Sequence, residues 1–259
     1  MPVPSSASTI EVIYDHKHVS RLWSWDAVNG FNSSDTPPQF TIRCGEALRQ
    51  RVFRALMGPY GGQPTTTVVV KVARDEKEFA YLQWEERVYN ESLRGLQGTV
   101  VPKCYGLFGT SNRGRKTGCL VLEYCASANN ISHADYGRKA MVAINKIHQA
   151  GIIHGDVRRS SHILSTPGGV RIVDFSNAKI HECPNAKPRL MDPRFEYAPE
   201  SETQCNELMI AENGYGVANG QHLDGMLQTN MSAPLSGVHT HPYQSQYADL
   251  KRSHKPVRF

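Results

Sequence analysis

Short apolar groups alternate with polar loops over residues 1–38, which close on Asp35-Thr36-Pro37-Pro38. Gln39–Ile42 and Arg51–Met57 then read as strands, with Gly58-Pro59-Tyr60-Gly61-Gly62 as the loop after them. Thr66–Ala73 is strongly β-branched and predicts a third strand. The period changes at Asp75. Phe79, Leu82, Tyr89 and Leu93 recur at helical spacing, so Asp75–Leu96 predicts a helix with Asp75 as its N-cap. Cys104–Phe108 and Gly118–Tyr124 return to strand patterning, and residues 135–150 predict a second helix with Met141, Ile144, Ile147 and His148 at core spacings. His148 reads there as a packed core histidine. His162-Ile163-Leu164, the turn Thr166-Pro167-Gly168-Gly169 and Val170–Val173 predict a short hairpin. A short helix follows through Glu207-Leu208-Met209-Ile210, and beyond it apolar periodicity is lost. The pattern divides the chain into an N-terminal extension, 1–38, a folded domain, 39–210, and a polar tail, 211–259, expected to be disordered.

Composition narrows the setting. A hydrophobic fraction of 39% is low for a compact domain and agrees with part of the chain being unpacked. The net charge of +5 is spread along the chain without a basic block, so nucleic acid is not an expected partner. No apolar run approaches membrane-spanning length, and Met1–Thr9 has no apolar signal-peptide core. Cysteines at 44, 104, 119, 125, 183 and 205 form no C-x-x-C pair, which argues against a zinc site or a disulfide framework. His239-Thr240-His241 has no partners at ligand spacing. This usage fits a reducing, intracellular, cytoplasmic location. Nothing in the sequence sets an oligomeric state.

The chemistry concentrates between His148 and Ala178. Asp156 and Asp174 each follow an apolar run at the ends of the predicted hairpin. Carboxylates so placed accept a proton or hold a hard cation, and two of them suggest phosphoryl transfer, one orienting a nucleophile and one holding metal. Upstream, Lys71 interrupts the run Val68–Ala73, and strand alternation puts it on the face opposite Val70 and Val72.

These stretches resemble the protein kinase superfamily, in particular short, divergent fungal kinase-like proteins with His154-Gly155-Asp156 where most protein kinases carry His-Arg-Asp. Small-molecule phosphotransferases such as aminoglycoside and choline kinases also use His-Gly-Asp. Leu96-Gln97-Gly98, Val101-Pro102 and Tyr105-Gly106 resemble the same fungal group. Glu196-Tyr197-Ala198-Pro199-Glu200 resembles the close of an activation segment.

The resemblance implies an α+β bilobal fold over residues 39–210: a five-stranded antiparallel sheet lobe with one helix, then a truncated helical lobe. It implies ATP and Mg2+ as cofactors. Lys71 would contact the ATP phosphates, with Glu85, or alternatively Glu86, pairing with it. The backbone of Glu123 and Cys125 would contact adenine at a hinge. Asp156 would be catalytic. Asp174 would hold metal, with Ser161 by count, or His162 by alignment on Ile163-Leu164, in the place of the family's asparagine. The pattern also departs from the family. Cys44–Gln50 has a single glycine where a glycine-rich phosphate loop belongs, and Asp174-Phe175-Ser176 replaces Asp-Phe-Gly. The implied function is transfer of the ATP γ-phosphate to a hydroxyl, on protein or on a small molecule. The alternative is a pseudokinase interaction module that binds nucleotide weakly or not at all.

Overall fold

A computed structural model describes residues 9–14, 18–26, 30–31, 37–128, 131–183 and 205–215. The chain divides into two units, Met1–Val217 and Ala218–Phe259, and every described residue belongs to the first. The Glu196–Glu200 motif, the His239-Thr240-His241 pair and the tail beyond 215 lie outside the described residues.

The strands in order are β1 (Thr9–Ile13), β2 (Val19–Asp26), β3 (Gly30–Phe31), β4 (Phe40–Arg49), β5 (Val52–Pro59) and β6 (Thr66–Ala73). Helix α1 (Glu76–Asn90) and a 3-10 turn at Arg94–Leu96 lead to β7 (Cys104–Asn112) and β8 (Arg115–Glu123). Helix α2 (His133–Gln149) and β9 (Ile152–Ile153) come next, then the hairpin β10 (Ile163–Thr166) and β11 (Gly169–Ile172), β12 (Lys179–Ile180) and helix α3 (Asn206–Tyr215). Among the described residues, no helix is long and apolar enough to cross a membrane.

The expectation of a bilobal kinase fold with an antiparallel five-stranded sheet and a helical lobe is corrected by this topology. The strands run β1-β4-β5-β6-β8-β7-β2, and β1 also pairs with β2, so seven strands close into a barrel with β3 appended to β2. The barrel is mixed, because β1 lies parallel to β4, with Ile10 opposite Phe40, while the other pairs are antiparallel. The cause lies in residues before 39. Ile10, Val12 and Leu22 are fully buried in the barrel interior, and their strands cover the edges that β4 and β7 would otherwise expose. The described helices are α1, α2 and α3, too few for a helical lobe.

Two local expectations also change. The predicted helix to Leu96 ends as an α-helix at Asn90 and finishes in the 3-10 turn. Cys44–Gln50, expected as a loop, is mostly strand. β4 runs through Arg49, with register irregularities between Cys44 and Ala47 and between Ala47 and Arg49.

The barrel has apolar faces inside and out. On β8, Cys119 and Val121 point into an interior cluster with Val68, Val70 and Ile42, while Leu120 and Leu122 face α1 and a second cluster. A strand buried on both sides reads as a continuous apolar run, as here. Asp75 caps α1 by accepting the N–H of Glu78. The buried stripe of α1 is Phe79, Leu82, Glu85, Val88 and Tyr89, so one carboxylate lies on an apolar face. Ser132 caps α2, accepting the N–H of Asp135. Ala140, Ile144 and Ile147 of α2 join the second cluster with Leu208 and Ala211 of α3.

Candidate functional site

β6 and α1 each deliver one half of a part-buried ion pair. Lys71 stands on the outer face of the barrel, opposite Val70, and Glu85 lies in the apolar stripe of α1. The Lys71 ammonium donates to Glu85 Oε1 and Oε2 at 2.8 and 2.9 Å. It also donates to Asp174 Oδ1 at 3.0 Å, across 103 residues of chain. Glu86, the alternative partner, instead accepts a hydrogen bond from Asn90 on its own helix. The structure therefore pairs Lys71 with Glu85. Glu85 Oε1 also accepts the backbone N–H of Phe175 at 3.1 Å, tying α1 to the segment that carries Asp174.

Burial alone would lower the Lys71 pKa, but the facing Glu85 and Asp174 carboxylates raise it above the ordinary lysine value. Burial would raise Asp174, yet the Lys71 charge and hydrogen bond, with smaller help from His162 and Ser176, hold it down at about 2. Lys71 and Asp174 are therefore both charged at neutral pH. Asp174 has φ 72°, in the left-handed region, immediately before a 3-10 turn at Phe175–Asn177. Trp84 of α1 donates to the carbonyl of Ala178 and fastens the far end of that turn.

Asp156 lies on the loop between β9 and β10. Gly155 before it has φ +83°, and a Cβ there would meet the Asn177 carbonyl oxygen at 2.5 Å. Backbone conformation and close approach both require glycine. His154 Nε2–H donates to the Val173 carbonyl, which leaves Nδ1 to accept the N–H of Asp156 at 3.2 Å. Asp156 Oδ2 lies 2.9 Å from Arg159 Nε, and exposure of the arginine keeps the energetic weight of the pair small.

His162 stands between the two aspartates. Its Nδ1 is 3.7 Å from Asp156 Oδ2 and its Nε2 is 3.4 Å from Asp174 Oδ2. The ring is buried and neither nitrogen makes a hydrogen bond. Burial, aided by the neighbouring His154 ring and Arg49, outweighs the two aspartates and lowers its pKa below the ordinary histidine value. Ser161, the alternative by count, is exposed. The predicted hinge residues sit apart, at the end of β8. The Glu123 N–H donates to the Lys103 carbonyl, and its carboxylate accepts the Lys103 N–H. The Cys125 thiol points at the Glu123 carbonyl oxygen, 3.9 Å away.

One residue of this region is invisible in the local sequence pattern. Glu207, in the first turn of α3, accepts the N–H groups of His154 at 2.8 Å and Gly155 at 2.6 Å, and faces His148 Nε2 at 2.9 Å. Burial would raise its pKa, but these donors bring it below the ordinary glutamate value. More than fifty residues separate it from the loop it holds, and no periodicity links them. His148, read as a packed core histidine, is buried as expected but has this charged partner.

For a hard cation the donor set is mixed. Asp174 supplies carboxylate oxygens, and a magnesium ion needs only one or two protein carboxylates when phosphates and water complete its shell. The Asp174 carboxylate therefore fits. The His162 nitrogen, directed at the same carboxylate, is a poor donor for magnesium.

No protein-family model matches the chain. A serine/threonine-protein kinase of Schizosaccharomyces pombe is 21% identical over 154 residues, covering 54% of this chain and 42% of the relative. The match supports a distant relationship to kinases. The chain thus spans less than half the length of this relative.

Proposed function

We propose that the protein is an ATP-dependent phosphotransferase that moves the γ-phosphate to a hydroxyl acceptor. One observation carries the reading: the part-buried Lys71 ammonium, held between Glu85 and Asp174, shares a cluster with Asp156 through His162. Glu85 keeps Lys71 charged and oriented, and its bond to Phe175 N–H keeps Asp174 in register. Lys71 neutralises phosphate charge, and Asp174 holds Mg2+. Bound magnesium would neutralise phosphate oxygens as charge moves onto the leaving group. Asp156, backed by the Glu207-anchored loop, accepts the proton of the attacking hydroxyl. A protein acceptor is favoured by the distant relative's being a serine/threonine-protein kinase.

A second reading, a nucleotide-binding interaction module without turnover, is favoured by β4. Its bulged segment presents exposed side chains at 46–49, where backbone N–H groups would have to cover phosphates closely.

Thermal unfolding with ATP and Mg2+, beside phosphate transfer to protein and aminoalcohol acceptors, separates the readings. Ligand at a hundredfold over its dissociation constant stabilises a fold by about 2.7 kcal/mol. Under the first reading ATP with Mg2+ raises the melting temperature, Lys71→Ala and Asp174→Ala abolish the rise, and Asp156→Asn lowers turnover about 10²- to 10⁴-fold while nucleotide binding survives. Nucleotide stabilisation without turnover selects the second reading. No stabilisation of the folded protein at millimolar ATP removes the nucleotide site proposed at Lys71.

A further inference from the structure

Below the phosphotransfer loop, four metal-ligating side chains converge from three separate elements. His148 is on the last turn of α2, His181 and Cys183 follow β12, and Cys205 immediately precedes α3. One donor atom from each lies within 4.8 Å of the others. We propose that His148, His181, Cys183 and Cys205 form a structural zinc site that clamps α2, β12 and α3 together.

The ligand chemistry is selective. Two thiolates with two imidazoles suit a tetrahedral zinc ion and suit magnesium or calcium poorly. With Zn–N of ~2.0–2.1 Å and Zn–S of ~2.3 Å, tetrahedral nitrogen and sulfur ligands lie ~3.6 Å apart. The His148 Nδ1 to Cys205 Sγ distance is 3.6 Å. His148 is also oriented as a ligand. Its Nε2–H donates to Glu207 Oε2 at 2.9 Å, which leaves the Nδ1 lone pair toward Cys205. A carboxylate behind an imidazole fixes tautomer and ring direction and strengthens the ligand. His181 adds an independent sign, because its Nε2 is buried without a hydrogen-bond partner. The His148 and His181 rings meet edge to face, with centroids 5.8 Å apart.

The site is absent from the sequence pattern because its ligands are not spaced as a finger or ribbon. Cys183 and Cys205 lie on either side of residues 184–204, and His148 is 57 residues from Cys205. An ion here closes that long interval. It also touches the phosphotransfer loop through one residue: Glu207 backs His148 with the same carboxylate that holds the N–H groups of His154 and Gly155.

The test is metal analysis of the full chain, equilibrated with zinc under reductant and then desalted, followed by cobalt substitution. The expected result is one zinc per chain and, for the cobalt form, thiolate-to-metal charge transfer with the intense visible bands of a tetrahedral site. Chelator lowers the melting temperature and zinc restores it. Cys183→Ser and His181→Asn, both at half-buried positions, lose stoichiometric zinc while circular dichroism shows a folded chain. Glu207→Gln keeps the two-thiolate cobalt spectrum but weakens metal binding about 10- to 100-fold, as expected of a positioning residue. A folded chain that takes up no zinc and melts identically with and without chelator overturns the proposal. So does a Cys183–Cys205 disulfide in the reduced preparation, or full zinc occupancy in Cys183→Ser.

Discussion

The two buried polar clusters are balanced in different ways. Around Lys71, burial is compensated by the protein's own charges: one ammonium meets two carboxylates at 2.8 and 3.0 Å. Around His148, the converging donors are imidazole nitrogens and thiols, which carry no cation with them. The first cluster is complete as a polypeptide, and a nucleotide must compete with Glu85 and Asp174 for the lysine. The second reaches its full ligand count only when an ion joins it. Burial of polar groups forces compensation in both places, but the type of donor decides whether a side chain or a metal supplies it.

Breaking the self-compensated cluster should have the largest effect. Glu85→Ala leaves Lys71 short of its main partner and strands the Phe175 N–H, so it should cost about 3–5 kcal/mol. Glu86→Ala, one residue away but half-buried, should cost under about 1 kcal/mol. Denaturant unfolding of both variants measures the contrast. Equal losses would mean that Glu85 is not the compensating charge.

The helix caps offer a smaller and more local probe. Asp75 caps the helix that carries Glu85, and Ser132 caps the helix that carries His148. Each alanine substitution should cost about 1 kcal/mol. Hydrogen exchange should rise in the first turn of α1 for Asp75→Ala and of α2 for Ser132→Ala. Equal loosening of both helices by either substitution would show that the two regions are one cooperative unit.

The cysteines give the smallest perturbation, since no residue is changed. Burial pushes the Cys44 and Cys125 thiols up to about 11, with the Glu123 charge adding to the effect at Cys125. A raised thiol pKa leaves little thiolate at neutral pH, so alkylation of both should be slow near pH 7 and accelerate as pH climbs toward 11. Added zinc should not alter their rates, while it should protect Cys183 and Cys205. Mass spectrometry of alkylated peptides reads each site separately. Zinc protection of Cys44 or Cys125 would place metal at the barrel instead.

Local pattern carried much of the first cluster and almost none of the second. Lys71 was legible because strand alternation is set by the backbone, which turns it away from Val70 and Val72 whatever the tertiary context. The Asp75 cap and the α1 stripe followed from helical period in the same way. The choice between Glu85 and Glu86 needed the packed structure, since both are mid-helix and only contact with β6 separates them. The stretch Cys44–Gln50 was misread because a bulged strand with exposed side chains has the composition of a loop.

Residue order alone therefore determined the start of β4, strands β5 to β8, the two longer helices, the hairpin, and the positions of Lys71 on its strand and of Asp156 and Asp174 at the ends of the hairpin, because these depend on neighbours within a few positions. Tertiary structure alone decided that β1 and β2 close the sheet into a barrel. Their short apolar groups carry no signal of which edges they will cover, and the parallel β1–β4 pairing joins strands about thirty residues apart. It alone placed Glu207 under the His154-Gly155-Asp156 loop and brought His148, His181, Cys183 and Cys205 together. Those contacts cross long intervals of chain, where packing of α3 on α2, rather than any local period, sets the distance.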